Sequence, residues 1–362
     1  MKSSRDEVFD HCRKRLHGHY PVSIRDSFRE LADFVDPGLM PDFYGSGEAV
    51  GELEGRVADL LGKEAALFFP SGTMAQQTAL RCWADESGNR NVGLHRTSHL
   101  EQHEENAYQI LHPLKGFPVG DLMSPLRVGD FQSVAEPLGS VIIELPQRHS
   151  GGILPRWEEL EEMRDWCRQQ GTRFHVDGAR LWECAPYYQR SYREICSLFD
   201  SVYVSFAKGL GSIGGAALAG PESLIRQAKV WQRRLGGNLF NLFPLALSSL
   251  HGLVTRLDRF PEYHAKAKEV ARIISPLPHF SVIPGELQTN MMHLSFHANR
   301  SQVEEALLRT SLETGVYIAR RCWKRSFVED TVIEICILDG AMDLSSDEIR
   351  EVLGIFNDFI SP

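Results

Sequence analysis

Residues 201–220, "SVYVSFAKGLGSIGGAALAG", decide how the rest of the chain is read. Val202, Val204 and Phe206 alternate as a strand would, and Gly209, Gly211, Gly214 and Gly215 deny the chain a regular element directly afterwards. Between the two sits one lysine, Lys208. A surface lysine needs no such surroundings, because its stem snorkels and its ammonium stays in water. A lysine used as an amine nucleophile does need them: a strand end, partial desolvation and a closely approaching backbone. An exposed loop lysine fits the same letters, so the flanking sequence has to decide.

The chain has 362 residues, 43% hydrophobic and 24% charged, which suits a soluble globular protein with one large and one smaller domain. A net charge of −9 argues against nucleic acid or an anionic membrane as partner. No apolar run is long enough to span a bilayer, and "MKSSRDEVFDHC" lacks a signal-peptide core, so a cytoplasmic protein is expected. The seven cysteines are scattered singly with no C-x-x-C pair, which points to reduced thiols. No H-E-x-x-H occurs among the histidines; His293, in "MMHLSF", reads as structural, and no metal site is expected.

Outward from Lys208, short β-branched or aromatic runs alternate with amphipathic stretches from about residue 48 to 220. "GEAVGELEGRVADLLG" sets Val50, Leu53, Val57, Leu60 and Leu61 on one helical face; "AALFF" follows as a buried strand and "TMAQQTALRCWAD" as a helix. "NVGL", "SVIIELP", "TRFHVDGA" and "SVYVSFA" are further strands, with the helix "RWEELEEMRDWCRQQG" capped by Gly171. Such alternation predicts an α/β fold with a mainly parallel sheet covered on both faces. After about residue 250 the texture becomes α+β: a long helix in "TRLDRFPEYHAKAKEVARIIS", strands in "HFSVIP", "TNMMHLSF", "VYIA" and "TVIEICIL", and helices near "SQVEEALLRTSLETG" and "SSDEIREVLGIFNDFI". The expected division is a helical arm over 1–40, a large α/β domain over 41–250 and a small α+β domain over 251–362.

Three segments place chemistry at strand ends, where open parallel sheets gather ligands. "FFPSGTMAQQ" joins Ser71, Gly72 and Thr73 to a helix start, a suitable phosphate cradle, though a plain capped helix start reads the same. "FHVDGARLW" sets Asp177 at a strand end, followed by Arg180; a carboxylate there can keep a ring nitrogen protonated, or simply begin a turn. Lys208 lies one strand further on. A phosphate site, an acid for a pyridine nitrogen and a Schiff-base lysine, in this chain order, describe a pyridoxal phosphate pocket.

"YGSGEAVGELEGRVADLLGKEAALFFPSGTMAQQTAL", "HVDGARLW", "SFAKGLGS" and "TNMMHLSF" resemble the threonine aldolase and β-eliminating lyase family of fold-type I pyridoxal phosphate enzymes, over about Tyr44 to Met292. The resemblance implies that fold, with Lys208 bonded to the cofactor aldehyde, Asp177 on the pyridine nitrogen, and Ser71, Gly72, Thr73 and Ser205 around the phosphate. It places His99 of "TSHLEQHEENA" on the cofactor ring, Glu104 at the acidic position that follows, and Arg180 on the substrate carboxylate. His99, His103 or a water they position would serve as base. Enzymes of this fold share their pocket between subunits, which implies a homodimer or homotetramer with Tyr44 near the neighbouring site.

Departures from the family pattern cluster where substrate binds. "ELPQRHSGG" replaces a segment that usually carries small polar residues, placing Arg148 and His149 there; Phe240 stands where an arginine is usual, and Ile333 or Glu334 where another is expected. A substrate carboxylate prefers a bidentate arginine. Arg148, with Arg25 as the other candidate, is expected to supply it. The expected activity is Cα–Cβ cleavage of a β-hydroxy-α-amino acid to glycine and an aldehyde. The alternatives are a β-eliminating lyase on a serine or cysteine derivative, an aminotransferase or racemase, and a cofactor-binding relative that has lost catalysis.

Overall fold

The apolar runs become the strands of one sheet in the computed structural model, which describes residues 4–324 and 330–360. In chain order these are β1 (Ala65–Phe69), β2 (Asn91–His95), β3 (Lys115–Val119), β4 (Ser140–Glu144), β5 (Arg173–Gly178), β6 (Ser201–Ser205) and β7 (Ala216–Gly220). Their lateral order is β1-β7-β6-β5-β4-β2-β3. β7 runs antiparallel to both neighbours, and every other pairing is parallel. β4 and β6 read as near-continuous apolar runs because both of their faces are covered. The register sets Glu144 beside Asp177, and Asp177 beside Tyr203, at the carboxyl edge.

The flanking helices follow their apolar faces. In α1 (Glu48–Leu61), Val50, Leu53, Val57 and Leu61 are buried and Leu60 is only half-buried; the helix stops at Gly62, whose φ is 64°. Helix α2 (Gly72–Ser87) packs Ala75, Ala79, Cys82 and Trp83 against Leu67, Phe69 and Leu218. In α3 (Trp157–Gln170) the expected cap at Gly171 is realised with φ 68°. Strands β3 and β7 escaped the sequence reading. β3 holds Pro118, tolerated because β3 is an edge strand. β7, "AALAG", has no β-branched residue to announce it.

The described residues form two compact units. The larger takes Arg25–His149 and Leu154–Asp258, including the whole seven-stranded sheet; the other takes the segments up to Ile24, Ser150–Ile153 and from Arg259 onward. The segment 1–40 is divided between them: the helix Ser4–His11 belongs to the second unit, and the helix Ile24–Phe34 runs into the larger one. Residues 1–3 lie outside the described residues.

In the second unit β8 (Ser281–Ile283), β9 (Met291–Phe296), β10 (Cys322–Lys324) and β11 (Thr331–Cys336) make an antiparallel sheet in the order β10-β11-β9-β8. "VYIA" supplies only a two-residue pairing of Val316–Tyr317 with Lys14–Arg15. The long helix expected over 255–275 is broken at Leu257–Arg259, with Pro261 inside the first turn of the helix that follows. Phe9, Leu16, Met292, Leu294, Ile335 and Phe356 share one core. Among the described residues no helix is long and apolar enough to cross a membrane.

Candidate active site

Beyond the last residue of β6 the chain makes a tight loop. The Phe206 N–H donates to the Gly215 carbonyl at 3.2 Å, the Ser212 N–H to the Phe206 carbonyl at 3.0 Å, and the Gly211 N–H to the Lys208 carbonyl at 3.0 Å. Two glycines are required here. Gly211 has φ 67°, and Gly215 has φ 98° with the Phe68 ring 2.6 Å from where a Cβ would stand. The loop carries Lys208 into a cleft in the larger unit, lined also by Thr97, His99, His103, Glu144, Arg148, Asp177 and Arg180. Burial, then the Arg180 charge, push the Lys208 amine down to about 8 against the pull of Asp177 and Glu144.

Asp177 closes the floor of the cleft and is 4% exposed. Its Oδ2 accepts from Gln76 Nε2 and its Oδ1 from the Ala179 N–H, each at 2.9 Å. Glu144 stands beside it in register, and its carboxyl is pushed up by burial and then by the Asp177 charge. Glu144 Oε1 accepts the His99 N–H at 2.7 Å. His99 Nδ1 donates to Glu104 Oε1 at 2.8 Å, and Glu104 Oε2 accepts from Gln77 Nε2 at 2.9 Å. The adjacent glutamines of α2 thus hold the two buried carboxylates on which the expected cofactor and histidine positions depend. His103 lies 5.1 Å from His99, ring to ring, and its imidazole is pushed down by burial and by the His99 and Arg148 charges.

Lys208, Asp177, Arg180, Arg148, His99 and His103 are therefore brought to one cleft. Ser71, Gly72, Thr73 and Ser205 are not among its lining residues; they lie at the start of α2 and the end of β6. Ser71 caps α2, its hydroxyl accepting the Met74 N–H at 3.3 Å. At Gly72 an added Cβ would collide with the Tyr203 hydroxyl. Tyr44 is also outside the lining: half exposed, it packs edge-on to Phe240 at 5.5 Å. Arg25 is exposed and away from the cleft, which leaves Arg148 beside Arg180. The sequence reading missed Gln76, Gln77, Thr97 and Glu144 as site residues. Only Glu144 carried a signal, an acid ending the apolar run "SVIIE".

The profile of the beta-eliminating lyase family matches residues 41–297. A solved structure from Listeria monocytogenes EGD-E, described as a candidate L-allo-threonine aldolase, is 38% identical, with a TM-score of 0.93 and 98% of each chain covered. One from Exiguobacterium sp. 255-15, described as a candidate aromatic amino acid beta-eliminating lyase/threonine aldolase, is 35% identical, with a TM-score of 0.93 and coverage of 98% and 99%. Low-specificity L-threonine aldolase 1 of Arabidopsis thaliana is 27% identical over 77% of this chain and 80% of its own.

Proposed function

The chain belongs to the beta-eliminating lyase family, and from that premise we propose that it is a pyridoxal phosphate-dependent carbon–carbon lyase. Its reaction is cleavage of the Cα–Cβ bond of a β-hydroxy-α-amino acid, such as L-threonine or L-allo-threonine, to glycine and an aldehyde. One observation carries the reading: a desolvated lysine and a buried carboxylate share a cleft with two arginines. The residues fit the cofactor. Asp177 is a nearly buried carboxylate facing the cleft with, among the described residues, a single donor on each oxygen, which suits a pyridinium N–H. Gln76 Oε1 beside it is buried without a hydrogen-bond partner, an acceptor for a polar group not supplied by the described residues.

Lys208 supplies the amine that holds the cofactor. At about 8 its neutral, nucleophilic form is far more populated near neutral pH than that of an ordinary lysine. Asp177 keeps the ring nitrogen protonated, and Gln76 orients that carboxylate. Ser71, Gly72 and Thr73 at the α2 start, with Ser205, take the phosphate; Gly72 is required because Tyr203 fills the space behind it. Arg180 and Arg148 hold the substrate carboxylate. When bound, pyridoxal phosphate supplies an electron sink for the pair released at Cα. His99, oriented by Glu104, covers the ring, and His99 or His103 handles the proton of the reacting hydroxyl.

A homodimer or homotetramer and a cytoplasmic location complete the reading; seven buried cysteines, none in a disulfide, suit a reducing compartment. The test is product analysis on protein loaded with pyridoxal phosphate. Glycine and acetaldehyde in equal amounts from L-threonine or L-allo-threonine support the lyase. Pyruvate and ammonia from L-serine, with no acetaldehyde from threonine, replace it with β-elimination.

A further inference from the structure

One buried cluster at the edge of the cleft is not used by the chemistry above. His95, the last residue of β2, is 2% exposed, and its ring is held at both nitrogens. Nδ1 lies 3.0 Å from the Thr97 backbone N–H and 2.7 Å from Thr97 Oγ1; Nε2 lies 2.9 Å from the Asp121 carbonyl oxygen. A backbone N–H can only donate, so Nδ1 carries no proton. A carbonyl can only accept, so the ring proton is on Nε2. Both ends of the ring demand the same tautomer.

The consequence falls on Thr97. With Nδ1 bare, the hydrogen between it and Oγ1 belongs to the threonine, whose hydroxyl proton is thereby committed to His95. Gln147 Nε2 lies 3.5 Å from Oγ1 and 3.2 Å from Nδ1, both acceptors in this tautomer, and adds a donor on that side; at Nε2, 3.1 Å away, it meets a protonated nitrogen and makes no hydrogen bond. Toward anything else the Thr97 oxygen can act only as an acceptor. Thr97 lines the same cleft as Lys208, Asp177 and Arg148.

We propose that the proton of the substrate's β-hydroxyl goes not to His99 or His103, the bases first assigned, but to Thr97, and that His95 takes the threonine's own proton in return. This deepens the lyase reading and rests on it. As the Cα–Cβ bond breaks, the β-oxygen gives its proton to Thr97 Oγ1, and the Oγ1 proton passes to His95 Nδ1. The C–O bond becomes C=O, and the Cα–Cβ electron pair would pass to the electron sink that pyridoxal phosphate supplies when bound. The imidazolium so formed keeps its Nε2–H on the Asp121 carbonyl. In the same cleft, a substrate whose β-substituent lacks a proton gains nothing from Thr97.

Three variants test this: Thr97→Val, Thr97→Ser and His95→Asn. Thr97→Val should lower kcat on L-threonine by about 10²–10⁴-fold, the range of a lost proton-transfer group. Glycine, which has no hydroxyl, should bind as tightly as before by spectroscopic titration. Thr97→Ser should keep most of the activity, and His95→Asn should lower kcat with little change in KM. In cofactor-free protein, long-range ¹H–¹⁵N spectra should report His95 as the Nε2–H tautomer. Thr97→Val within threefold of wild type, or Thr97→Ser as impaired as Thr97→Val, overturns the proposal. If wild type cleaves no threonine, the lyase reading fails first. The acceptor is then read from binding alone: Thr97→Val should weaken L-serine about tenfold and leave L-alanine unchanged, and equal effects on both overturn it.

Discussion

Lys208 shows what a single side chain gives up to be useful. Unfolded, its amine titrates near 10.5; folded, burial and Arg180 hold it at about 8. Between those values the unfolded chain binds a proton that the folded one lacks, so stability of the cofactor-free protein rises with pH across that window. The rise is at most roughly 3 kcal/mol. Urea unfolding at pH 7.5 and pH 10 should therefore show a gain in wild type that Lys208→Met lacks; parallel responses would mean the amine is not desolvated. Lys208→Ala should bind pyridoxal phosphate without a borohydride-reducible link and lose turnover at least a thousandfold. Arg148 carries a separate expectation. Losing one charge-assisted contact costs about 1.5–3 kcal/mol, so Arg148→Ala should raise KM for L-threonine about 10–100-fold, with Arg25→Ala as an unaffected control. Lysine and aspartate were legible because their types and strand-end positions carry the chemistry. Gln76 and Gln77 were not: a helical glutamine says nothing about the carboxylate the fold brings to it, 101 and 27 residues away.

At the scale of elements, the start of α2 is a tightly constrained join in the large unit. Ser71 caps the helix, and Gly72 packs against the Tyr203 ring on β6, one strand before the lysine loop. Gly72→Ala should destabilise the fold by about 1–3 kcal/mol through overpacking and weaken cofactor binding together with it. Thermal unfolding read beside a pyridoxal phosphate titration checks both. Gly51→Ala, inside α1 with open space around its Cβ, is the control and should be neutral or stabilising. The order of elements was readable because central parallel strands are apolar along their whole length and helices announce their caps, as Gly171 does. Strand β7 was not. Its small residues have weak strand propensity, and it exists because β1 and β6 bond it from both sides. Among the glycines that interrupt regular structure after Lys208, Gly215 also leaves room for the Phe68 ring just before β7 begins.

The whole molecule leaves an apolar surface on the larger unit that a lone chain has no reason to keep. Phe43, Tyr44 and Phe240 are 60%, 50% and 55% exposed and pack on one another, with ring centroids 4.6–5.5 Å apart. Phe240 also stands where the family resemblance implies an arginine. Exposed apolar clusters of this kind mark interfaces, and a second copy is the occupant the proposed oligomer supplies. Light scattering should give about 82 kDa or a multiple of it, twice the 40.9 kDa chain, and Phe240→Asp should shift the population toward the single chain. Whether Tyr44 serves the neighbour's cleft can be read by complementation. Lys208→Ala subunits have an intact Tyr44, and Tyr44→Ala subunits have an intact Lys208. Each preparation alone should be impaired. Mixed and reassociated at random, half of the dimers are hybrids with one complete site in two, so about a quarter of all sites should recover wild-type turnover. No recovery, with hybrids demonstrated by mass, would place Tyr44 in the interface and leave the cleft to one chain.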